Sequence, residues 1–214
     1  MGPTLFNLYV ADIPNSSKSI FQYADDTALV ISEANFTNLS KTLQSEMDLL
    51  NNWFINNRLL LSPSKCELVV FNPNSTKNTP PIKIKISGNE IVSSESARYL
   101  GIFFDKNLNW HLQISKICSK CSFHISLLAS LKHCLSKKQL RNIYYPLIQS
   151  HFDYGDQTWS TALSSDLNRL GRLQKRVCKI ILGIPRSKHI PSSEILSILQ
   201  INSLSDRRNL RLIE

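Results

Sequence analysis

No run of apolar residues in this sequence approaches the roughly 18 that a membrane helix requires. Met1 leads into Gly2-Pro3 rather than into a basic stretch followed by an apolar one. These absences predict a soluble, unprocessed chain with no membrane partner. Internal repeats and low-complexity tracts are also missing, which argues against a solenoid or a disordered linker. The cysteines (Cys66, Cys118, Cys121, Cys134 and Cys178) number five, and with no secretory signal an odd count disfavours a disulfide framework. A reducing intracellular setting, cytoplasm or nucleus, is the expectation. At 214 residues the chain has room for one large domain or two small ones, each with its own core.

The net charge of +9 is unevenly spread. Residues 1–105 hold 8 Lys/Arg against 10 Asp/Glu, whereas residues 106–214 hold 17 against 6. The basic excess therefore belongs to the C-terminal half, where it favours polyanions such as nucleic acid. A merely solvated basic face is the plainer alternative.

The hydrophobic pattern changes character at the same place. Gly2 to Pro14 has Leu5, Leu8 and Tyr9 at helix-like spacing. Ser19–Tyr23 and Thr27–Ser32 are β-rich runs on either side of Ala24-Asp25-Asp26, which predicts a strand, a tight turn and a second strand. From Phe36 to Asn56 the apolar residues Leu39, Leu43, Met47, Leu50 and Phe54 step by three or four, the mark of one helix with one buried stripe, and Ser62-Pro63-Ser64 breaks it. Glu67–Phe71, Ile82–Ile86 and Ala97–Phe104 are further strand candidates, separated by Asn72-Pro73-Asn74 and a Gly88-Asn89 turn signal. After Asn107-Leu108-Asn109 the β signals stop. Helices are expected at about 110–134, 137–153, 164–182 and 192–200, with a short one after Ser205. Ser136 with Gln139 forms a capping box, and Gly183 followed by Pro185 closes the third helix. The fold class is therefore α+β, with a domain boundary near Asp105.

Alone, Asp25-Asp26 is no more than an acidic pair in a turn. Two adjacent carboxylates at a hairpin tip repel each other, and a nearby cation relieves that repulsion. Hard divalent ions such as Mg²⁺ prefer these oxygen ligands, and two metals about 3.5–4 Å apart can activate one oxygen and stabilise another in phosphoryl displacement. The pair suits nucleotidyl transfer.

Gly2-Pro3-Thr4-Leu5-Phe6-Asn7-Leu8-Tyr9 followed by Tyr23-Ala24-Asp25-Asp26-Thr27 resembles consecutive signatures of non-LTR (LINE-type) retrotransposon reverse transcriptases, and of the jockey-like group in particular. Asn52-Trp53-Phe54 with Asn57 and Leu59, then Ser64-Lys65-Cys66, is similar to the family segment that follows. Tyr99-Leu100-Gly101-Ile102 with Asp105, Leu108 and Trp110 resembles the next signature, and Leu173-Gln174-Lys175 to Gly183-Ile184-Pro185 resembles the family's C-terminal helices. The resemblance implies a partial polymerase palm at 1–105, with a β-hairpin and a small antiparallel sheet, followed by an all-helical thumb-like region at 106–214. It implies RNA-directed DNA synthesis with dNTPs on an RNA template and a DNA primer–template duplex. Asp25 and Asp26 would be ligands of a two-magnesium site, and Tyr99, Leu100 and Gly101 would form the hairpin that supports the primer end. It further implies a general-acid role for Lys65 toward departing pyrophosphate, although an exposed lysine at a helix-to-strand junction is the plainer account. In the family an Asp on an earlier palm strand and a Pro-Gln-Gly segment complete the site, and neither is among these residues. The expectation is a C-terminal fragment, inactive alone. The rival expectations are a non-catalytic nucleic-acid-binding remnant and a decayed transposon fragment.

Two further clusters stand apart from the acidic turn. Cys118-x-x-Cys121, with His124 and His133-Cys134, invites a zinc reading. Helical spacing instead places Cys118 and Cys121 on one face with Ile125 and Leu128, which suits a core. On the helix near 166–182, Arg169, Arg172, Lys175, Arg176 and Lys179 recur about once per turn, with Leu170, Leu173, Val177, Ile180 and Ile181 opposite. Such a strip can follow phosphates without reading sequence.

Overall fold

The helix Phe36–Asn56 (α2) shows how the first part is held together. Asn35 starts it by accepting the Asn38 amide at 2.8 Å on its side-chain oxygen. Leu43, Met47 and Leu50 are buried along one stripe, while Leu39 and Phe54 are partly buried at its ends. The computed structural model describes residues 1–13, 19–72 and 80–211. Pro14 and Pro73-Asn74, expected as chain breaks, lie outside the described residues. So does Glu214.

The chain divides into two compact units, Met1–Leu108 and Asn109–Glu214. In the first, α1 (Gly2–Tyr9) precedes the hairpin β1 (Ile20–Tyr23) and β2 (Asp26–Leu29), which pair antiparallel from Ile20↔Leu29 to Tyr23↔Asp26. The Tyr9 hydroxyl donates to the Asn57 carbonyl and ties α1 to the end of α2. A second hairpin, β3 (Lys83–Ile86) with β4 (Asn89–Val92), buries Ile84, Ile86 and Ile91 beneath α2. Its free edge is covered by Gln44: the amide nitrogen donates to the Lys85 carbonyl at 2.9 Å, and the amide oxygen accepts the Lys85 N–H at 2.7 Å. One side chain thus replaces a neighbouring strand at that point.

The third hairpin is β5 (Ser96–Tyr99) with β6 (Ile102–Asp105). Its two turn residues, Leu100 and Gly101, have φ of 47° and 80°, the backbone of a type I′ turn. The β3–β4 turn is of the same kind but lies at Ser87-Gly88, φ 48° and 82°. This moves the expected Gly88-Asn89 turn back by one residue, because Asn89 already pairs with Ile86. Glu67–Phe71 is not a strand. Val69 makes one isolated parallel bridge to Ser94, while Leu68 accepts the Ser94 amide and Glu67 accepts the Arg98 amide on its carboxylate. The segment therefore meets the link between β4 and β5 at Ser94 instead of running along a strand.

The second unit is helical throughout among its described residues: α3 (His111–Leu131), α4 (Lys137–Tyr144), a π-helical turn Tyr145–Gln149, α5 (Ser150–Asp153), α6 (Ser164–Leu182), α7 (Ser192–Leu199) and α8 (Leu204–Arg211). The architecture is therefore α+β, three antiparallel hairpins with helices followed by helices alone. Ser136 and Gln139 make the capping box that starts α4, and Gly183 at φ 74° ends α6. Pro146 has no N–H to bond the turn before it, which accounts for the π turn that carries α4 into α5. Ile114, Ile117, Cys121, Ile125 and Leu128 of α3 face Leu170, Val177, Cys178 and Ile181 of α6 across the core. Trp110 and Trp159 are buried, and their indole N–H groups donate to Thr161 and to the Tyr154 carbonyl.

Two arginines fasten the last helix. Arg207 meets Asp153 at 2.6 Å, and Arg211 meets it at 2.7 Å and also binds the buried Asp156. Among the described residues no helix is long and apolar enough to cross a membrane.

Candidate metal turn and nucleic-acid interface

The β1–β2 hairpin turns through only two residues, Ala24 and Asp25, so both acids stand at its tip with Asp26 opening β2. Both are exposed to solvent. Ala24 takes φ 53°, while Asp25 is not among the positive-φ residues, the φ pattern of a type II′ turn whose first position glycine usually fills. The Gln22 side-chain amide donates to the Ala24 carbonyl at 3.2 Å and braces the turn. A cavity of about 440 Å³ opens beside the turn, lined by Asn7 and Val10 from the α1 side and by Gln22, Tyr23 and Ala24.

Tyr99, at the end of β5, is a sequence-predicted site residue that feels the charge of Asp26. Partial burial pushes its phenol pKa up, and the negative charge of Asp26 pushes it in the same direction. Leu100 is half-buried and Gly101 exposed in the tight turn that follows. Lys65 is exposed at the end of the short 3₁₀ turn Pro63–Lys65, and among the described residues no ion pair joins it to Asp25 or Asp26. Among the described residues no group of three or more His, Cys, Asp or Glu side chains could hold a metal. Among the described residues, then, the acidic side chains that the turn presents are the pair Asp25 and Asp26.

Helix α6 carries the basic strip, and its five cations differ in what they already hold. Arg169 is engaged: it meets the buried Asp166 at 2.9 Å and donates to Ser115 of α3 at 3.3 Å. Asp166 also meets His111 at 3.0 Å. Burial pushes the Asp166 carboxyl up, but the hydrogen bonds from Arg169 and His111 outweigh that and hold it below its ordinary value. Lys179 donates to the carbonyls of Arg186 at 3.1 Å and Lys188 at 2.6 Å, so it clasps the chain that leaves the helix. Arg172, Lys175 and Arg176 have no ion-pair partner among the described residues, and both arginines are exposed.

Those three line an open groove of about 690 Å³ together with Lys132, Lys179 and Arg186, and among the described residues no carboxylate lines it. Lys132 follows α3 and Arg186 follows the Gly183 cap, and the sequence reading identified neither. Helical spacing within one segment cannot reveal cations that arrive from other elements. Leu173 and Ile180 were expected on the apolar side of α6, but they are only partly buried and line the groove among the cations. The buried side consists of Leu170, Gln174, Val177, Cys178 and Ile181. Asp166 was also missed, although its position three residues before Arg169 is the spacing at which helical ion pairs form.

The cysteines of the possible zinc cluster lie elsewhere. Cys121 is fully buried and its thiol is pushed up to about 12 by desolvation, so it stays protonated. His124 stacks on His151 with ring centroids 5.3 Å apart, and Cys134 is exposed.

Residues 1–104 match the family described as reverse transcriptase (RNA-dependent DNA polymerase). Over 219 residues the chain is 26% identical to the RNA-directed DNA polymerase from mobile element jockey of Drosophila melanogaster, an alignment covering 97% of this chain and 23% of that protein. It is 25% identical over 197 residues to the jockey polymerase of Drosophila funebris, covering 86% of this chain and 21% of that protein. It is 28% identical over 200 residues to the probable RNA-directed DNA polymerase from transposon BS of Drosophila melanogaster, covering 86% and 22%. The chain thus spans about a fifth of the length of the curated relatives it matches. No solved structure matches it. The match over residues 1–104 marks that segment as reverse transcriptase (RNA-dependent DNA polymerase) domain, and the chain is homologous over most of its length to the polymerases of jockey, BS and X-element non-LTR retrotransposons.

Proposed function

We propose that this chain is the part of a mobile-element RNA-directed DNA polymerase that carries the metal turn of the palm, at 1–105, and a helical thumb-like region that grips nucleic acid, at 106–214. The observation that carries the reading is the carboxylate pair Asp25-Asp26, held at a two-residue hairpin tip in the segment that matches the family. The substrates are dNTPs with an RNA template and a DNA primer–template duplex.

Two exposed carboxylates fit magnesium as part of its ligand set, since a hard cation takes oxygen donors and fills the rest of its shell with water and phosphate. When bound, magnesium would supply positive charge that neutralises the triphosphate oxygens during transfer. Asp25 and Asp26 would hold it, and the Tyr99-Leu100-Gly101 turn of the β5–β6 hairpin would support the primer end. Lys65 is the candidate donor of a proton to pyrophosphate, and its exposed side chain is free to swing toward a bound nucleotide. The free cations of α6 take phosphates of the duplex backbone without reading its sequence. The odd count of five cysteines fits a reducing compartment, cytoplasm or nucleus.

The test is to graft residues 1–214 in place of the matching stretch of the jockey polymerase and to measure RNA-templated primer extension. Asp25→Asn and Asp26→Asn each reduce synthesis to background, and Lys65→Ala lowers it by about 100-fold if it acts as a general acid. Undiminished extension by the two asparagine variants would sink the proposal. A second reading, a binding module without catalysis, is favoured by one observation: the cationic groove of the second unit contains none of the acidic turn's residues. Salt-sensitive binding by the chain together with a graft that fails to synthesise DNA selects that reading.

A further inference from the structure

The groove at the C-terminal end of α6 has a floor that a phosphate-tracking surface does not need. Leu173 and Ile180 come from the helix, and Ile184 and Pro185 from the segment just past its cap. All four line a concavity that six cations, Lys132, Arg172, Lys175, Arg176, Lys179 and Arg186, also line. Paired bases are stacked inside a duplex, so its outer surface offers phosphate and sugar to such a groove and leaves the apolar floor unused. An unpaired nucleotide uses both parts. Its phosphates meet the cations, and its base lies against the aliphatic floor and the guanidinium planes of Arg172 and Arg176.

We infer that this groove holds an unpaired nucleotide of a single strand at the point where the strand leaves a duplex. The inference rests on the reading that the second unit binds nucleic acid and adds which form of nucleic acid it takes here. Three observations carry it. Charge complementarity is one-sided, because among the described residues the lining includes six cations and no carboxylate. The volume of about 690 Å³ lies within the roughly 300–1,000 Å³ of sites for small ligands, ample for one nucleotide. The site is also built in advance. Gly183 in the left-handed region turns the chain, Pro185 fixes the next φ, and Lys179 fastens the carbonyls of Arg186 and Lys188. That clasp keeps Ile184 and Pro185 in place without a ligand, which limits the ordering that binding would require. Among the described residues the lining offers aliphatic side chains and guanidinium planes rather than aromatic rings, and these meet the face of any base.

The experiment measures binding of the 214-residue chain to labelled DNA by fluorescence anisotropy at one fixed salt concentration. The probes are a blunt duplex, the same duplex with a single-stranded tail, and that tailed duplex with abasic sites replacing the tail's bases. The tail should tighten binding by about five- to tenfold, the lower end of the range for stacking a base. The abasic tail should lose most of that gain although its phosphates remain. Ile184→Ser should remove the preference for the tail while leaving blunt-duplex binding unchanged. Equal affinity for blunt and tailed duplexes overturns the inference, as does an abasic tail that binds as tightly as the intact one. Displacement of the tailed probe by polyglutamate as readily as by a single strand also overturns it, because the groove would then be a general anion site. Binding to the blunt duplex with no gain from the tail defeats this inference alone; no binding to any probe defeats the nucleic-acid reading as well.

Discussion

Replacing Arg172 and Arg176 with alanine separates the cations that face solvent from the one that holds the fold. Each phosphate contact releases condensed counterions, so log K falls with log salt by about 0.7 per contact on a single strand and about 0.9 on a duplex. Taking about 1 M salt as the point where that release contributes nothing, one contact accounts for roughly fivefold of single-strand affinity and eightfold of duplex affinity at about 0.1 M. The double variant should therefore bind a single strand about 25-fold and a duplex about 60-fold more weakly at about 0.1 M, with slopes shallower by about 1.4 and 1.8. Both arginines are exposed without ion-pair partners among the described residues, so unfolding free energy should stay within about 0.5 kcal/mol of the parent. Arg169→Ala should behave in the opposite way. It leaves the buried Asp166 with His111 alone, which destabilises the second unit by about 1–3 kcal/mol while the salt slope is kept. Anisotropy titrations across a salt series and urea melts of the three variants provide both readouts. An unchanged slope in the double variant, or an equal slope loss in Arg169→Ala without loss of stability, refutes this division of labour.

The acidic hairpin makes its own prediction: Mn²⁺ should broaden the backbone amide NMR signals of residues 23–27 and of Tyr99 first, and Asp25→Asn with Asp26→Asn should remove the effect. Selective broadening elsewhere would put the ion in another place. Asp153→Asn should destabilise the second unit by about 2–3 kcal/mol in urea melts, because Arg207 and Arg211 lose their shared partner. Burial pushes the Asp153 carboxyl up, but hydrogen bonds from Arg207, Arg211 and Gln149 hold it below its ordinary value. Its contribution is therefore complete above about pH 4 and lost as pH falls through the lower folded value, and the asparagine variant should lack that acid limb. Ala24→Gly should stabilise the first unit by up to about 1 kcal/mol, followed by Trp53 fluorescence, because only glycine takes φ 53° without strain. Destabilisation by glycine would show that the Ala24 methyl packs against something the turn requires.

Much of the helical architecture was legible because its signals are local. The bounds expected for α2 coincide with the observed helix, and the capping box at Ser136 and the glycine end at Gly183 both lie where residue chemistry places them. Strands were read less well, since a β-rich run says nothing about whether a partner is free. Glu67–Phe71 has suitable residues, but the hairpins on either side are already paired within themselves. The basic strip shows the same limit. Its spacing was visible, but Arg169 is tied to a network that reaches His111 and Ser115, and Lys179 to carbonyls beyond the helix. Lys132 and Arg186 share the groove only because the chain folds back. The electrostatic influence of Asp26 on Tyr99 is likewise a tertiary fact that no pattern in the residues themselves reveals.

The wide turn at Tyr145–Gln149 explains an oddity of spacing on the path from α4 to α5. Leu140, Tyr144, Ile148 and Phe152 are all buried, at intervals of four. On an uninterrupted α-helix each such step rotates the side chain by about 40°, so the last of them would point roughly 120° away from the first. The π turn winds more slowly and takes back part of that rotation, which keeps Phe152 over the core and aims Asp153 at the arginines of α8. The proline in mid-helix thus acts as a phase corrector, and a single-residue deletion there would rotate everything downstream and break the anchorage of the final helix.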